Sequence, residues 1–388
     1  MLLFGETAGE NLLAANSSAS PEGSILTPEG WVTGKVTFDG HAIAAVDGRR
    51  VPAGTKPKAP FVLPGFIDLH VHGGGGGDWQ GGEEGVRTLV RYHASFGTTA
   101  IAPTTAIGPV PAVEKSLSAI ASIAAMRLPG EAVVLGAHLE GPFINPLKPG
   151  AMEVSLILEG DAALARSWVE KFKIVIATVA PEIPGGLDVT KVLAERGVRV
   201  QIGHSIATPL LAEEAFHCGC SGFTHLFNAM SQMEHRSPGV AAYALARGRF
   251  AEIISDLLHV NATVLLAAYR AIPRLYAITD ATAAGMPDGL FEWGGRRVIK
   301  KDKRITLEDG TTLAGSAITM LDAFRNLISL GLSLEQAAEM TSARQAEYLG
   351  LQNVGRIEPG ARACIVKLDE DLKLRGIWVD GESIAPAF

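Results

Sequence analysis

Cysteine is scarce in this chain. There are three in 388 residues, and Cys218, Cys220 and Cys364 follow no framework spacing. Such an odd, sparse set excludes a disulfide scaffold or a zinc finger and suits a reducing compartment. The Cys218/Cys220 pair is spaced C-x-C, not C-x-x-C, and reads as packing. Early positive charge is missing too. No lysine or arginine precedes Lys35, so the apolar start Met1–Phe4 lacks the basic segment a secretory signal needs. No apolar run reaches the ~20 residues of a membrane span. The net charge of −7 argues against nucleic acid as a general partner, while a local cationic pocket for an anionic substrate remains compatible with it. Repeats of short period and low-complexity tracts are lacking. The expected location is therefore the cytoplasm, with no membrane and no nucleic-acid partner.

What is plentiful is core-forming material. Hydrophobic residues make up 47% and charged residues 19%, which allows a large core and excludes disorder. Forty-four glycines and 21 prolines supply many tight connections. The length suits a barrel of ~250 residues plus an accessory module.

Eight short β-branched runs recur: Phe61–His72, Thr98–Thr105, Ala132–Gly141, Ile174–Pro181, Val198–Ser205, Gly222–Asn228, Ala251–His259 and Leu275–Thr282. Amphipathic stretches separate them, among them Glu84–Phe96, Ala112–Met126, Asp161–Lys171, Val189–Arg196 and Pro209–Cys218. This alternation predicts an α/β fold, a (β/α)8 TIM-type barrel over residues 61–354. Residues 1–60 and 355–388 read as short strands and turns, neither able to bury a core alone. Together they predict one small β-sandwich built from both termini. Leu290–Leu313, rich in β-formers and glycine, reads as an excursion after the eighth strand.

Polar residues close several of these runs, and in a barrel such ends share one mouth. The first run ends in His70-Val71-His72, whose alternate residues share a face and can offer two imidazoles to one ion. Taken alone, the pair is equally well read as two satisfied polar histidines. Glu140 ends an apolar run where a buried carboxylate is costly without a cation beside it. Its other reading is a capping or salt-bridge acid. His138 shares its face but lies deeper, in a supporting position. His204 and His225 end the fifth and sixth runs. Asp280 ends the eighth, placed to take a proton from an attacking water. His41, His93 and His217 read as surface or helix residues. Gly73–Gly77 lacks any phosphate-loop spacing and reads as flexible backbone over the mouth.

This constellation resembles the amidohydrolase superfamily and, within it, the N-acetylglucosamine-6-phosphate deacetylase family. The resemblance runs through PGFIDLHVHG (64–73), HLEGPFINPLKPGA (138–151), IGHS (202–205), THLFNAMSQMEHRSPG (224–239), DLLHV (256–260), TDATAAGMPDG (279–289) and LAGSAITM (313–320). It implies hydrolysis of the acetamide of an N-acetyl amino-sugar 6-phosphate. It implies that Glu140, His204 and His225 hold a main divalent metal and that His70 and His72 hold a second, which only some members have. Zinc is the first choice of metal, with iron, cobalt or manganese as alternatives. Asp280 is implied as general base and later acid. Ala151, Asn228, Ala229, His259, Leu313, Ala314 and Gly315 are implied as substrate contacts, Arg236 as the phosphate partner, and a homodimer as the assembly.

One departure stands out. Where the family has K-x-G-A-H, this chain has Lys148-Pro149-Gly150-Ala151-Met152, and Met152 cannot donate to a carbonyl. Either a second metal at His70 and His72 supplies that polarisation, or the substrate is another N-acyl amino sugar, such as N-acetylgalactosamine 6-phosphate. Relatives acting on cyclic amides or N-acyl amino acids often carry a carbamylated lysine, but no lysine ends a strand in the right place and Glu140 occupies the equivalent position. A metal-free, non-catalytic barrel would have lost ligands or the base, and all of them are present.

Overall fold

The computed structural model describes residues 20–387. The first 19 residues, including the apolar start and part of the predicted N-terminal segment, lie outside the described residues.

Eight parallel strands form the barrel: Phe66–Val71, Thr98–Thr105, Ala137–Glu140, Ile174–Val179, Arg199–Ile202, Cys220–Phe223, Phe250–Ile254 and Arg274–Ile278. The first six pair in sequence, and the seventh pairs with the eighth. Two junctions close the ring. Leu226 donates its N–H to Glu252 O at 2.9 Å between the sixth and seventh strands. Asp280 N–H donates to His70 O at 2.8 Å between the eighth and first, beside a bridge of Val71 to Ala281. The strands are buried on both faces, as expected where helices cover a parallel sheet.

The helices start where the chain supplies caps. Asp161 accepts from Ala163 and Leu164 N–H at the head of Ala162–Lys171. Thr208 caps Pro209–His217, with Pro209 at the first helical position, where its missing N–H costs nothing.

The first expected strand proves to be two. Phe61–Pro64 pairs antiparallel with Ile365–Leu368 and parallel with Glu22–Thr27, whereas Phe66–Val71 enters the barrel. Gly65 is the joint. A Cβ there would stand 2.2 Å from Thr99 Oγ1, so only glycine lets the chain cross so close to the second barrel strand.

The small unit draws strands from both ends of the chain. Its seven-stranded sheet runs Glu382–Ile384, Leu374–Val379, Ile365–Leu368, Phe61–Pro64, Glu22–Thr27, Gly30–Asp39, Ala42–Arg50. The sheet folds over a separate core of Ile25, Val36, Ile43, Val62, Ile365 and Trp378, and Ala42 bridges Arg362. After the eighth barrel strand, Gly289–Trp293, Arg296–Lys301 and Arg304–Leu307 form a three-stranded antiparallel excursion. Among the described residues, no helix is long and apolar enough to cross a membrane.

Candidate metal centre

The strand ends converge at one mouth. His70 lies in the first strand and His72 just past it, while Glu140 ends the third. His204, His225 and Asp280 each follow their strand by two residues and adopt left-handed backbone, with φ of 49°, 28° and 48°. Such conformations strain non-glycine residues by about 1–3 kcal/mol each and gather at functional sites. Beside them, Gly315 (φ 70°) passes so close that a Cβ would sit 2.7 Å from Asp280 O.

Glu140 stands between two histidine pairs. Its Oε1 lies 3.2 Å from His204 Nε2 and 3.0 Å from His225 Nε2. Its Oε2 lies 3.1 Å from His72 Nε2 and 3.5 Å from His70 Nε2. Asp280 Oδ1 completes the second group, 3.4 Å from His70 Nε2 and 3.3 Å from His72 Nε2. Two sets of potential metal ligands thus adjoin: Glu140, His204, His225 and His70, His72, Asp280.

Tautomer logic tests whether a cation belongs there. His204 Nδ1 faces Lys148 O at 2.7 Å, His72 Nδ1 faces Thr104 O at 3.1 Å, and His70 Nδ1 faces Glu252 Oε2 at 2.9 Å. Carbonyl and carboxylate oxygens only accept, so each Nδ1 carries a proton, and in the neutral form that binds metal Nε2 carries none. Each Nε2 then turns a lone pair towards carboxylate oxygen. Lone pairs facing carboxylates repel unless a cation stands among them. No lysine or arginine pairs with Glu140, Glu252 or Asp280 among the described residues. The donor set therefore fits divalent cations.

Without a cation the carboxylates instead draw protons onto His70 and His72, positive charge that a divalent ion would replace. Burial works against charge on Glu140, yet His70 and bonds from His204 and His225 hold it well below the usual carboxylate range. Burial opposes charge on Asp280 too, but His70 and His72 pull it down to about 2. Burial disfavours a charged His70, whereas Glu140, Asp280 and Glu252 push it well above 6.5. His138 sits deeper, between Leu69 O (3.1 Å) and Thr178 Oγ1 (2.8 Å), and burial pushes it down to about 3.

A cavity of about 310 Å³ opens over this cluster. Its walls include the expected Ala151, Asn228, Ala229, His259, Leu313 and Gly315, with Met152 beside them. Ala314 is fully buried behind the wall. Arg236 lies apart, on the exposed stretch 232–238, outside the residues lining the cavity. His259 is held by Asp256, Nδ1 to Oδ2 at 2.7 Å. His41 and His217 are exposed, whereas His93 is a fully buried helix residue that reaches Gly73 O at 3.1 Å.

Glu252 and Trp293 escaped the sequence reading, as did Thr311 and Thr312 on the cavity wall. Glu252 sits inside the seventh strand, wholly buried, and its signal was a lone acid in Phe250–Ile254. Trp293 reaches the cavity from the tip of the excursion hairpin, and nothing local announced that docking.

The chain has relatives among known proteins. The amidohydrolase family model matches residues 61–384. The N-acetylgalactosamine-6-phosphate deacetylase of Escherichia coli O157:H7 is 35% identical, covering 92% of this chain and 97% of its own. The N-acetylglucosamine-6-phosphate deacetylase of Vibrio furnissii is 34% identical, covering 89% and 88%. A solved mutant N-acetyl-D-glucosamine-6-phosphate deacetylase from Mycobacterium smegmatis, in complex with N-acetyl-D-glucosamine-6-phosphate, superposes with a TM-score of 0.85. It has 28% identity and covers 93% of this chain and 97% of that one. The Thermotoga maritima N-acetylglucosamine-6-phosphate deacetylase structure gives 0.85 at 29% identity, covering 93% and 98%.

Proposed function

The chain belongs to the amidohydrolase family, and from that footing we propose that it deacetylates an N-acetyl amino-sugar 6-phosphate, N-acetylglucosamine 6-phosphate first, releasing acetate and glucosamine 6-phosphate. The observation that carries this reading is Glu140, whose two oxygens serve two histidine pairs under one cavity. Glu140, His204 and His225 would hold one divalent ion, and His70, His72 and Asp280 a second. Zinc is the first candidate, with iron, cobalt and manganese also suited to these donors. When bound, such an ion supplies Lewis-acid polarisation of the amide carbonyl and makes water more acidic.

The chain's own residues do the rest. Asp280, ionised at neutral pH, accepts a proton from the attacking water at its carboxylate. The water oxygen bonds to the acyl carbon, the C–N bond breaks, and Asp280 returns the proton to the departing amine. Ala151, Asn228, Ala229, His259, Leu313, Ala314 and Gly315 shape the sugar and acyl site. Arg236, from its exposed stretch, pairs with the phosphate, as a guanidinium fork suits phosphate oxygens. Met152 offers no donor where the acyl group is expected, so the residues that would supply the polarisation are His70 and His72, were they to hold a second ion. A cytoplasmic homodimer completes the reading, supported by three unpaired cysteines and by the family resemblance.

The test is acetate release from N-acetylglucosamine 6-phosphate, N-acetylgalactosamine 6-phosphate and both dephosphorylated sugars. Turnover of a phosphorylated sugar is expected. Its absence with all four sugars, in metal-replete protein, would sink the proposal. The galactosamine substrate is the second candidate, since the Escherichia coli relative is named for it.

A further inference from the structure

We infer that Glu252 is a positioning residue that makes His70 a metal ligand, an inference resting on the two-ion reading above. Glu252 belongs to the seventh strand, Phe250–Ile254, and has no exposure. Its Oε2 accepts from His70 Nδ1 at 2.9 Å. The opposite ring nitrogen, Nε2, lies 3.2 Å from His72 Nε2 and 3.4 Å from Asp280 Oδ1. The other two oriented histidines lean on neutral carbonyls, Thr104 O and Lys148 O. His70 alone leans on a carboxylate, which fixes the ring's tautomer and also raises the basicity of Nε2.

Glu252 is not itself a third ion's ligand, although His70, His138 and Glu252 lie close together. His138 has both nitrogens engaged, by Leu69 O and Thr178 Oγ1, and His70 Nδ1 is spent on Glu252. Neither histidine therefore has a nitrogen lone pair left for an ion there, and one carboxylate alone does not make a site. Two weaker bonds seat the carboxylate. Tyr276 donates its hydroxyl to Oε1 at 3.4 Å, and His225 donates its backbone N–H to Oε2 at 3.3 Å. A glutamine oxygen can still accept from that N–H, so Glu252→Gln removes the charge while sparing the His225 backbone.

The experiment titrates metal-free, full-length protein with Co2+, read by visible absorption and by elemental analysis after dialysis. Wild type is expected to bind two equivalents. Glu252→Gln should keep the first equivalent and bind the second about 10- to 100-fold more weakly. Glu252→Asp, which restores the charge at shorter reach, should recover part of the loss and serves as the test variant if the glutamine form does not fold. In a His70→Asn background, Glu252→Gln should not further weaken the remaining equivalent. Two equivalents bound by Glu252→Gln as tightly as by wild type would overturn the inference alone. So would equal weakening of both equivalents, the mark of a purely structural role, or a wild type that binds only one ion. A wild type that binds none would instead remove the hydrolytic reading on which the inference stands.

Discussion

Trp293 stands edge-on to His72, with ring centroids 5.3 Å apart and planes crossing at 79°. It is buried to 5% exposure, although it comes from a hairpin tip outside the barrel. Two bonds dock that tip. Arg296 donates to Met152 O at 3.3 Å, and Gly294 N–H donates to Gln80 Oε1 at 3.2 Å. The hairpin thus walls the cavity on the side of the second histidine pair. Trp293→Ala should leave the barrel folded, loosen His72 and open the cavity to water. A fall in kcat/KM of about 10-fold or more is expected, as for other residues that support a metal ligand. Steady-state kinetics beside a thermal melt would check it, and unchanged kinetics would show that the hairpin only covers the site.

Asp280 stands two residues past the eighth strand, on the cavity wall. Asp280→Asn preserves size and shape but cannot accept a proton. General acid–base assistance is worth about 100- to 10,000-fold, and a loss of turnover in that range is expected while Glu140, His204 and His225 still bind their ion. Measuring kcat together with metal content separates the two roles. Near-normal turnover would reassign the proton transfer to another group.

Much of the candidate site is legible in the sequence alone, for a physical reason. His70, Glu140, His204, His225 and Asp280 close or follow apolar runs, and a parallel barrel brings all such ends to one mouth. Local sequence therefore carries global position. Glu252 broke that logic because it acts from within a strand, where an acid resembles an error in the pattern more than a signal. Phe61–Pro64 and Phe66–Val71 merged in the sequence because both are apolar and parted only by Gly65, whose meaning depends on the approach of Thr99. The docking of Trp293 depends on Gln80 and Met152, more than 140 positions away in the chain, and periodicity holds no trace of it. The exposed position of Arg236 was equally hidden, since its motif says what it could bind and not where it stands.

Removal of the metal should abolish activity and lower stability together. A ligand bound only by the folded chain stabilises it by about 4 kcal/mol at a thousand times its Kd. Dialysis against a chelator is expected to lower the melting temperature and stop acetate release, and added Zn2+, Co2+, Mn2+ or Fe2+ should restore both. Full activity in chelated protein shown to be metal-free would contradict the ligand assignment.

His93 gives a pH dependence outside the candidate metal centre. Burial holds it down to about 4, against its bond to Gly73 O. The unfolded chain takes up this proton near pH 6.5, while the folded chain refuses it until about pH 4. The stability tied to a neutral His93 is therefore complete above pH 6.5 and lost as the pH falls towards 4. The loss amounts to about 3 kcal/mol over that window. Urea unfolding between pH 7.5 and 4.5 should show a shallower decline in His93→Gln than in wild type. Identical slopes would mean that His93 titrates normally.

Arg236 offers the sharpest test of what the substrate carries. It is exposed and outside the cavity lining, so the barrel has no structural need of it. A charged hydrogen bond to phosphate is worth about 1.5–3 kcal/mol. Arg236→Ala should therefore raise KM for a phosphorylated sugar by roughly 10- to 150-fold at nearly constant kcat, the pattern of uniform binding lost from ground and transition states alike. The dephosphorylated sugar, lacking the group that the guanidinium would grip, should show the same kcat/KM in variant and wild type. Equal losses on both sugars would mean that Arg236 supports the loop and not the phosphate.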